Sequence, residues 1–218
     1  MFSRCFSTSS RNYSAPRVVQ VLSLDARDTL IRAKENPAVV YSRFASEKGL
    51  HVDPDSVFTN FLKNYKRMST SSPCFGFKDG GEKVWWKEVV VSTLLDCSPK
   101  LPKSEVQSVA EDLFAFYATV EPWELVEDNV KTVLQKLRLK GIHLVIASNF
   151  DSRLKSLLSD FHLSEFFSMI VLSGEVGHEK PDPKIFQLIV NHFDLSHPSE
   201  ILHIVMLIRS IVFLAFRL

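Results

Sequence analysis

The chain has 218 residues, of which 45% are hydrophobic and 23% charged, and its formal net charge is +1. This length fits one large domain, or a domain with a smaller insertion, of ordinary globular composition. The near-neutral charge gives no electrostatic basis for nucleic-acid binding, so we expect no nucleic-acid partner. Three widely spaced cysteines form neither a disulfide framework nor a zinc motif.

The N-terminal segment is basic, rich in serine and free of acids. Arg4, Arg11 and Arg17 all precede the first acid, Asp25. This composition is typical of a mitochondrial or plastid transit peptide. We therefore expect residues 1–16 to be a transit peptide and the protein to be mitochondrial. A plastid location is the first alternative, and a cytoplasmic or nuclear protein with a basic tail is the second.

The segment VVQVLSL, at residues 18–24, is apolar, rich in β-branched residues and followed by Asp25. It predicts a buried strand. Helical spacing of apolar residues follows, bounded by prolines and glycines. We expect four helices there, at residues 37–49, 55–68, 85–95 and 104–117, with a loop at residues 73–81. Trp85 and Trp86 are interpreted as packing residues of this helical region.

From Pro122 onward, short apolar segments alternate with amphipathic helices. Apolar spacing predicts helices that include residues 130–137, 154–161 and 185–189. The apolar segments between them predict three further strands, at residues 142–148, 168–174 and 201–205. This alternation predicts an α/β fold, a Rossmann-like parallel sheet with helices on both faces.

Ligands of such sheets bind at the carboxyl ends of the strands. Four polar residues are expected at this edge: Asp25 after the first strand, Ser148 and Asn149 after the second, and Lys180 beyond the third. We therefore expect the acid of Asp25, the hydroxyl of Ser148 and the amine of Lys180 to lie close together. A solvated turn acid is the weaker interpretation of Asp25.

These residues resemble the motifs of the haloacid dehalogenase-like hydrolase superfamily. LSLDARDTL contains Asp25 and Thr29, ASNFD contains Ser148, and GHEKPDPKIF contains Lys180. The likeness covers about residues 18–204 and extends to the branch named haloacid dehalogenase-like hydrolase domain-containing protein 3. The resemblance implies a core at residues 17–30 and 121–205, with a helical cap inserted at residues 31–120.

The resemblance also implies the chemistry. Asp25 would be the nucleophile, forming a covalent ester that water hydrolyses, and Lys180 would be its catalytic partner. Thr29, Ser148 and Asn149 would bind a small anionic substrate, which we expect to be a phosphorylated metabolite. Mg²⁺ would be the cofactor, with Asp25 as one of its ligands.

Two departures from the superfamily pattern bear on activity. The residue two positions after the nucleophile is Arg27 instead of a second aspartate, and arginine stays protonated, so it cannot serve as a general acid or base. Arg27 could pair with Asp28 or bind a substrate anion. In addition, the acidic residues that would complete a Mg²⁺ site after the last strand are missing, because no acid follows Glu200.

We interpret residues 206–218 as an aberrant apolar tail of a truncated or alternatively spliced product whose core is incomplete. From Ile201, 14 of 18 residues are apolar, but Arg209 disfavours a membrane anchor. We expect a phosphatase-type hydrolase with weak or no Mg²⁺-dependent turnover. The alternatives are a non-catalytic binding protein on the same scaffold and a haloacid-type dehalogenase. No feature predicts the oligomeric state.

Overall fold

A computed structural model provides the structure, and it describes residues 19–207 and 210–214. The core contains a five-stranded sheet built from β1 (Val21–Leu24), β4 (His143–Ser148), β5 (Met169–Leu172), β6 (Ile201–Leu207) and β7 (Ser210–Leu214). The strand order is β5-β4-β1-β6-β7. The first four strands are parallel, whereas β7 runs antiparallel to β6. The predicted α/β class with a parallel sheet is confirmed.

Helices cover both faces of this sheet. One face packs through Leu144, Ile146 and Leu154, and the opposite face packs through Val145, Phe186 and Ile189. The core helices are α6 (Val130–Leu139), α7 (Arg153–Asp160), the short α8 (Ser173–Val176) and α9 (Lys184–His192). Single-turn 3₁₀ helices lie at Ser164–Phe166 and Pro198–Glu200.

The segment between β1 and β4 contains a separate helical unit, here called the cap. It consists of α1 (Pro37–Glu47), α2 (Pro54–Ser71), α3 (Pro73–Gly76), α4 (Gly81–Cys97) and α5 (Lys103–Phe116). These helices have their own apolar centre, which includes Val57, Leu94 and Leu113. The expected loop at residues 73–81 contains α3, which is a single tight turn, because its interior residues Cys74 and Phe75 have left-handed backbone angles.

Two short strands join the cap to the core. β2 (Ile31–Ala33) pairs antiparallel with β3 (Trp123–Leu125). These three-residue strands were not predicted, since a period of two cannot be recognised over so short a length of sequence.

The apolar C-terminal segment contributes to the sheet. Residues 206–207 extend β6, and residues 210–214 form β7 beside it. β6 would otherwise be an edge strand with unpaired backbone groups, and residues 211–213 (IVF) have high strand propensity. Within the described residues, no helix is both long and apolar enough to span a bilayer. The expected transit peptide lies outside the described residues.

Candidate active site

Asp25 lies directly after β1, at the carboxyl edge of the sheet. Its backbone N–H donates to the carbonyl of Ile204 at 2.9 Å, which continues the pairing of β1 with β6. The backbone N–H of Ala26 donates to Asp25 Oδ1 at 2.8 Å. The Asp25 side chain is 17% exposed, so the carboxylate is held in one orientation and still reaches solvent.

Two other predicted site residues contact this carboxylate. The Ser148 hydroxyl at the end of β4 donates to Asp25 Oδ1 at 2.7 Å. Lys180 Nζ lies 2.8 Å from Asp25 Oδ2 in an ion pair that is 15% exposed on the lysine side. Three residues that are far apart in the chain thus meet at one point, as expected from strands that end at the same edge.

Asn149 has a structural role that the sequence did not indicate. The backbone N–H of Lys180 donates to Asn149 Oδ1 at 2.7 Å, and Asn149 Nδ2 donates to the carbonyl of Lys180 at 3.0 Å. The amide thus satisfies both backbone groups of Lys180. Asn149 therefore fixes the position of Lys180 relative to Asp25.

Burial and charge have opposite effects on Lys180. Removal of its ammonium from water lowers its pKa, and the nearby Asp25 carboxylate partly offsets this by favouring the charged form. His203 Nε2 on β6 lies 3.4 Å from Lys180 Nζ, and its Nδ1 lies 3.0 Å from Ser23 Oγ. Burial lowers the pKa of His203 to about 4, and the lysine charge acts in the same direction. A neutral imidazole therefore lies beneath the ion pair.

Arg27 and Thr29 lie in the turn after β1. Arg27 Nε is 3.6 Å from Asp28 Oδ2, and both side chains are 56% exposed. Arg27 also lines the pocket between cap and core. The backbone N–H of Thr29 donates to the carbonyl of Ala26 at 3.3 Å, which closes the turn. Arg27 is thus close to Asp28 and lines the pocket between cap and core.

Among the described residues, Asp25 is not joined by further carboxylates that could complete a set of Mg²⁺ ligands. Mg²⁺ requires several oxygen ligands in near-octahedral geometry. In the described part of the chain, no three His, Cys, Asp or Glu side chains cluster in a way that could hold a metal ion. One carboxylate oxygen of Asp25 is paired with Lys180, and the position after Ala26 is an arginine.

A second network, unforeseen from the sequence, joins the cap to the core. Asp151 is fully buried and accepts hydrogen bonds from Trp86 Nε1 at 2.8 Å and from Arg153 Nη2 at 2.7 Å. The Arg153 guanidinium also lies 4.4 Å from the ring centroid of Phe114. The Oδ1 of Asp151 accepts from the backbone N–H of Arg153 at 3.1 Å, at the start of α7. The contact with Trp86 shows that this indole does more than pack the cap.

Comparisons with known sequences identify the family. A family model described as haloacid dehalogenase-like hydrolase matches residues 19–204. The human haloacid dehalogenase-like hydrolase domain-containing protein 3 is 31% identical over 170 residues, which cover 78% of this chain and 67% of the relative. The Drosophila melanogaster rhythmically expressed gene 2 protein is 27% identical and covers 85% of this chain and 74% of the relative. The chain thus spans about two thirds to three quarters of the length of these relatives.

Solved structures show the same fold. The Bacillus subtilis HAD-hydrolase YfnB, solved bound to magnesium, has a TM-score of 0.62 at 14% identity, over 86% of this chain and 79% of its own. The defluorinating L-2-haloacid dehalogenase Rha0230 has a TM-score of 0.61 at 15% identity, over 85% and 72%. A predicted phosphoglycolate phosphatase from Haemophilus somnus 129PT has a TM-score of 0.57 at 17% identity, over 84% and 75%. The chain belongs to the haloacid dehalogenase-like hydrolases.

Proposed function

We propose that the chain is a hydrolase that uses Asp25 as a nucleophile on a small phosphorylated metabolite. The observation that supports this most is the Asp25 carboxylate held between the Ser148 hydroxyl, at 2.7 Å, and the Lys180 ammonium, at 2.8 Å. The lysine favours the ionised carboxylate, which is the nucleophilic form. The same cation and hydroxyl can bind the oxygens of an incoming phosphoryl group.

The reaction would proceed in two steps. A carboxylate oxygen of Asp25 attacks phosphorus, so that an aspartyl O–P bond forms and the bond from phosphorus to the leaving oxygen breaks. The leaving group takes the electron pair. Water then attacks the aspartyl phosphate, which releases inorganic phosphate and restores the carboxylate. Asn149 acts as a positioning residue, because it holds the backbone of Lys180.

Arg27 restricts which leaving groups can depart. A guanidinium cannot donate a proton to an alkoxide, and the loss of general acid catalysis costs about 10²–10⁴-fold in rate. Esters of alcohols should therefore turn over weakly or not at all. Acyl and aryl phosphates have acidic leaving groups that depart without a proton, so they should react best.

The test is to trap the covalent intermediate. The purified chain is incubated with acetyl phosphate or 4-nitrophenyl phosphate, and intact mass spectrometry followed by peptide mapping locates any added phosphoryl group. We expect one phosphoryl group on Asp25 and none in the isosteric variant Asp25→Asn. Lys180→Met should lose the adduct while keeping the fold. An unmodified wild-type chain with both reagents contradicts the nucleophile assignment and favours a binding protein on this scaffold.

A dehalogenase is the second candidate, favoured by the surroundings of Asp25. The cation beside this carboxylate is a lysine. An aspartate that displaces halide from carbon needs neither a second acid nor a metal ion, and the described part of the site has no cluster of metal ligands. Release of chloride from 2-chloropropionate, dependent on Asp25, would support it. Trapping of phosphate without chloride release would exclude it in favour of the first candidate.

We propose a mitochondrial location on the basis of the N-terminal composition. Three arginines and no acid precede Asp25. A fusion of residues 1–30 to a fluorescent protein should enter mitochondria, and replacement of Arg4, Arg11 and Arg17 by glutamine should leave it in the cytosol. Import of the fusion into plastids alone, or no import of the unchanged fusion, contradicts this proposal.

A further inference from the structure

A pocket between the cap and the core borders the Asp25 site. Arg27 and Asn149 line this pocket, and they lie close in the sequence to Asp25 and Ser148, respectively. Asn149 also holds the backbone of Lys180 through two hydrogen bonds. The part of a substrate that is attached to a phosphoryl group at Asp25 would therefore extend into this pocket.

Aromatic rings that pack on one another line both sides of the pocket. On the cap side, the ring centroid of Trp86 lies 5.9 Å from that of Tyr65 and 6.0 Å from that of Phe75. On the core side, the centroids of Trp123 and Phe150 are 5.9 Å apart. Rings at such distances support each other, so the wall offers a large apolar surface to a ligand. Small and aliphatic residues complete the wall: Ala33, Pro37, Val90, Ala110 and Leu113.

The carboxylate and the indole N–H groups of this wall already have partners within the protein. Asp151 accepts a hydrogen bond from Trp86 Nε1 at 2.8 Å and pairs with Arg153 at 2.7 Å. Trp123 Nε1 donates to the backbone carbonyl of Tyr117 at 3.3 Å. A ligand hydroxyl placed against these groups would lose its water without gaining a hydrogen bond, which is costly.

Tyrosine hydroxyls add little to the polar surface of the wall. The Tyr117 hydroxyl is buried away from the pocket space, and Tyr41 is 3% exposed. The Tyr65 hydroxyl interacts with the Ser69 side chain. The pocket therefore has few groups that could replace the water around a polyhydroxylated ligand such as a sugar.

Arg27 contributes a cation at the border between the aromatic wall and the Asp25 site. Burial raises the pKa of both Tyr65 and Tyr117, and the nearby Arg27 charge partly offsets this effect. The guanidinium thus lies near these two rings, with its side chain 56% exposed. A positive charge next to an apolar wall suits a ligand that is anionic at one end and apolar elsewhere.

We propose that the substrate of this site is a phosphate carried by an apolar body that has no hydroxyl groups. This rests on the proposed function for the phosphoryl end. Because Arg27 cannot protonate the leaving oxygen, an aryl or acyl phosphate meets both requirements. Phosphates of sugars and other polyols are disfavoured, since the wall offers their hydroxyls too few partners.

The test compares phosphonates, whose carbon–phosphorus bond is not hydrolysed, by calorimetric titration. Methylphosphonate reports on the anion site alone, butylphosphonate adds an apolar chain, and 3,4-dihydroxybutylphosphonate carries two hydroxyls on the same chain. Butylphosphonate should bind more tightly than methylphosphonate, by about fourfold for each methylene that enters the pocket. The dihydroxybutyl probe should bind at least about tenfold more weakly than butylphosphonate. Toluene reports on the pocket without the anion.

Two leucine variants test whether the gain arises in this pocket. Ala33→Leu narrows the pocket, so it should weaken toluene and butylphosphonate binding by about threefold or more and leave methylphosphonate binding unchanged. Ala115→Leu is the matched control, because Ala115 is exposed on α5 and does not line the pocket. Lys180→Met should abolish methylphosphonate binding and keep toluene binding.

The inference is overturned by equal affinity for the butyl and dihydroxybutyl probes, by no gain of butylphosphonate over methylphosphonate, or by a gain that Ala33→Leu leaves unchanged. Toluene binding that Ala33→Leu weakens, without binding of any phosphonate, would support the apolar pocket and contradict the proposed phosphoryl site. Tight methylphosphonate binding without any preference for apolar probes would do the reverse. The two proposals therefore fail separately.

Discussion

The indole N–H of Trp86 in the cap donates a 2.8 Å hydrogen bond to the carboxylate of Asp151 in the core. Asp151 is fully buried and also pairs with Arg153, which is 11% exposed on its side chain. A buried carboxylate needs such partners, since its desolvation is otherwise uncompensated. One carboxylate thus holds α4 of the cap against the loop after β4, and both Trp86 and Asp151 line the pocket between cap and core.

Removal of this link should reduce stability measurably. Trp86→Phe deletes a hydrogen bond to a charged group, a type worth about 1.5–3 kcal/mol. A double-mutant cycle with Asp151→Asn, measured by urea unfolding, separates this interaction from the smaller volume of phenylalanine. We expect a coupling energy above about 1 kcal/mol. If the effects of the two single substitutions on the unfolding free energy add to within about 0.3–0.5 kcal/mol, the contact does not contribute to stability.

Substitution of Gly174 tests how closely the loop after β4 is packed against α8. A Cβ at Gly174 would lie 3.0 Å from the Asp151 Cα and 3.3 Å from the Phe150 carbonyl oxygen. Backbone atoms cannot swing aside as a side-chain end can, so Gly174→Ala should push on the loop that carries Asn149. We expect a loss of about 1–3 kcal/mol in the free energy of unfolding, typical of overpacking.

The same variant should slow phosphorylation of Asp25, because a shifted Asn149 would move Lys180. Gly49→Ala is the control. Gly49 has a φ of +74° with nothing within 4 Å of the added carbon, so its replacement costs stability through backbone conformation alone. Equal adduct yields from the two variants would mean that the loop does not position Lys180.

The residues that meet at the strand ends could be predicted from the sequence. Asp25 and Ser148 each follow an apolar segment, and parallel strands bring their carboxyl ends to one edge. The roles of Asn149 and Trp86 could not be predicted, because each depends on a hydrogen-bond partner far away in the chain. The same holds for β7, whose pairing depends on an open edge at β6 that only the folded sheet provides.

His203 should make stability depend on pH. Its pKa is lowered from 6.5 to about 4 in the folded state, so the unfolded chain binds more protons between these values. The free energy of unfolding should therefore fall as the pH drops from about 6.5 towards 4. A shift of this size is worth about 3 kcal/mol in total. Above pH 6.5 His203 is neutral in both the folded and the unfolded chain, so this loss of stability is absent there.

Urea unfolding at several pH values, with His203→Gln as the comparison, isolates this contribution from that of the carboxylates. The difference in unfolding free energy between wild type and variant should shrink as the pH falls through the window. A difference that stays constant from about pH 7 to about pH 4 would mean that His203 titrates normally in the folded protein.

The sheet register identifies a position at which an acid could join Asp25, which has no further metal-binding carboxylates beside it in the described part of the chain. Leu24 pairs with Ile204, and the backbone N–H of Asp25 donates to the Ile204 carbonyl at 2.9 Å. Val205 therefore lies beside Asp25 on the neighbouring strand, with its side chain on the same face of the sheet. Val205→Asp would place a second carboxylate beside that of Asp25, and carboxylate oxygens are the donors that suit Mg²⁺. Arg27→Asp would add a carboxyl group that can serve as a general acid.

We expect this double variant to bind Mg²⁺ in calorimetric titrations in which the wild-type chain shows no binding. Its turnover of 4-nitrophenyl phosphate should become Mg²⁺-dependent and rise by about 10²-fold or more, because the carboxyl group introduced by Arg27→Asp can also protonate the leaving oxygen. The matched control replaces the same two residues by asparagine, which has the same shape without the charge. If the two variants bind Mg²⁺ equally weakly, then geometry at the end of β6, and not the lack of acids, prevents this chain from holding a metal.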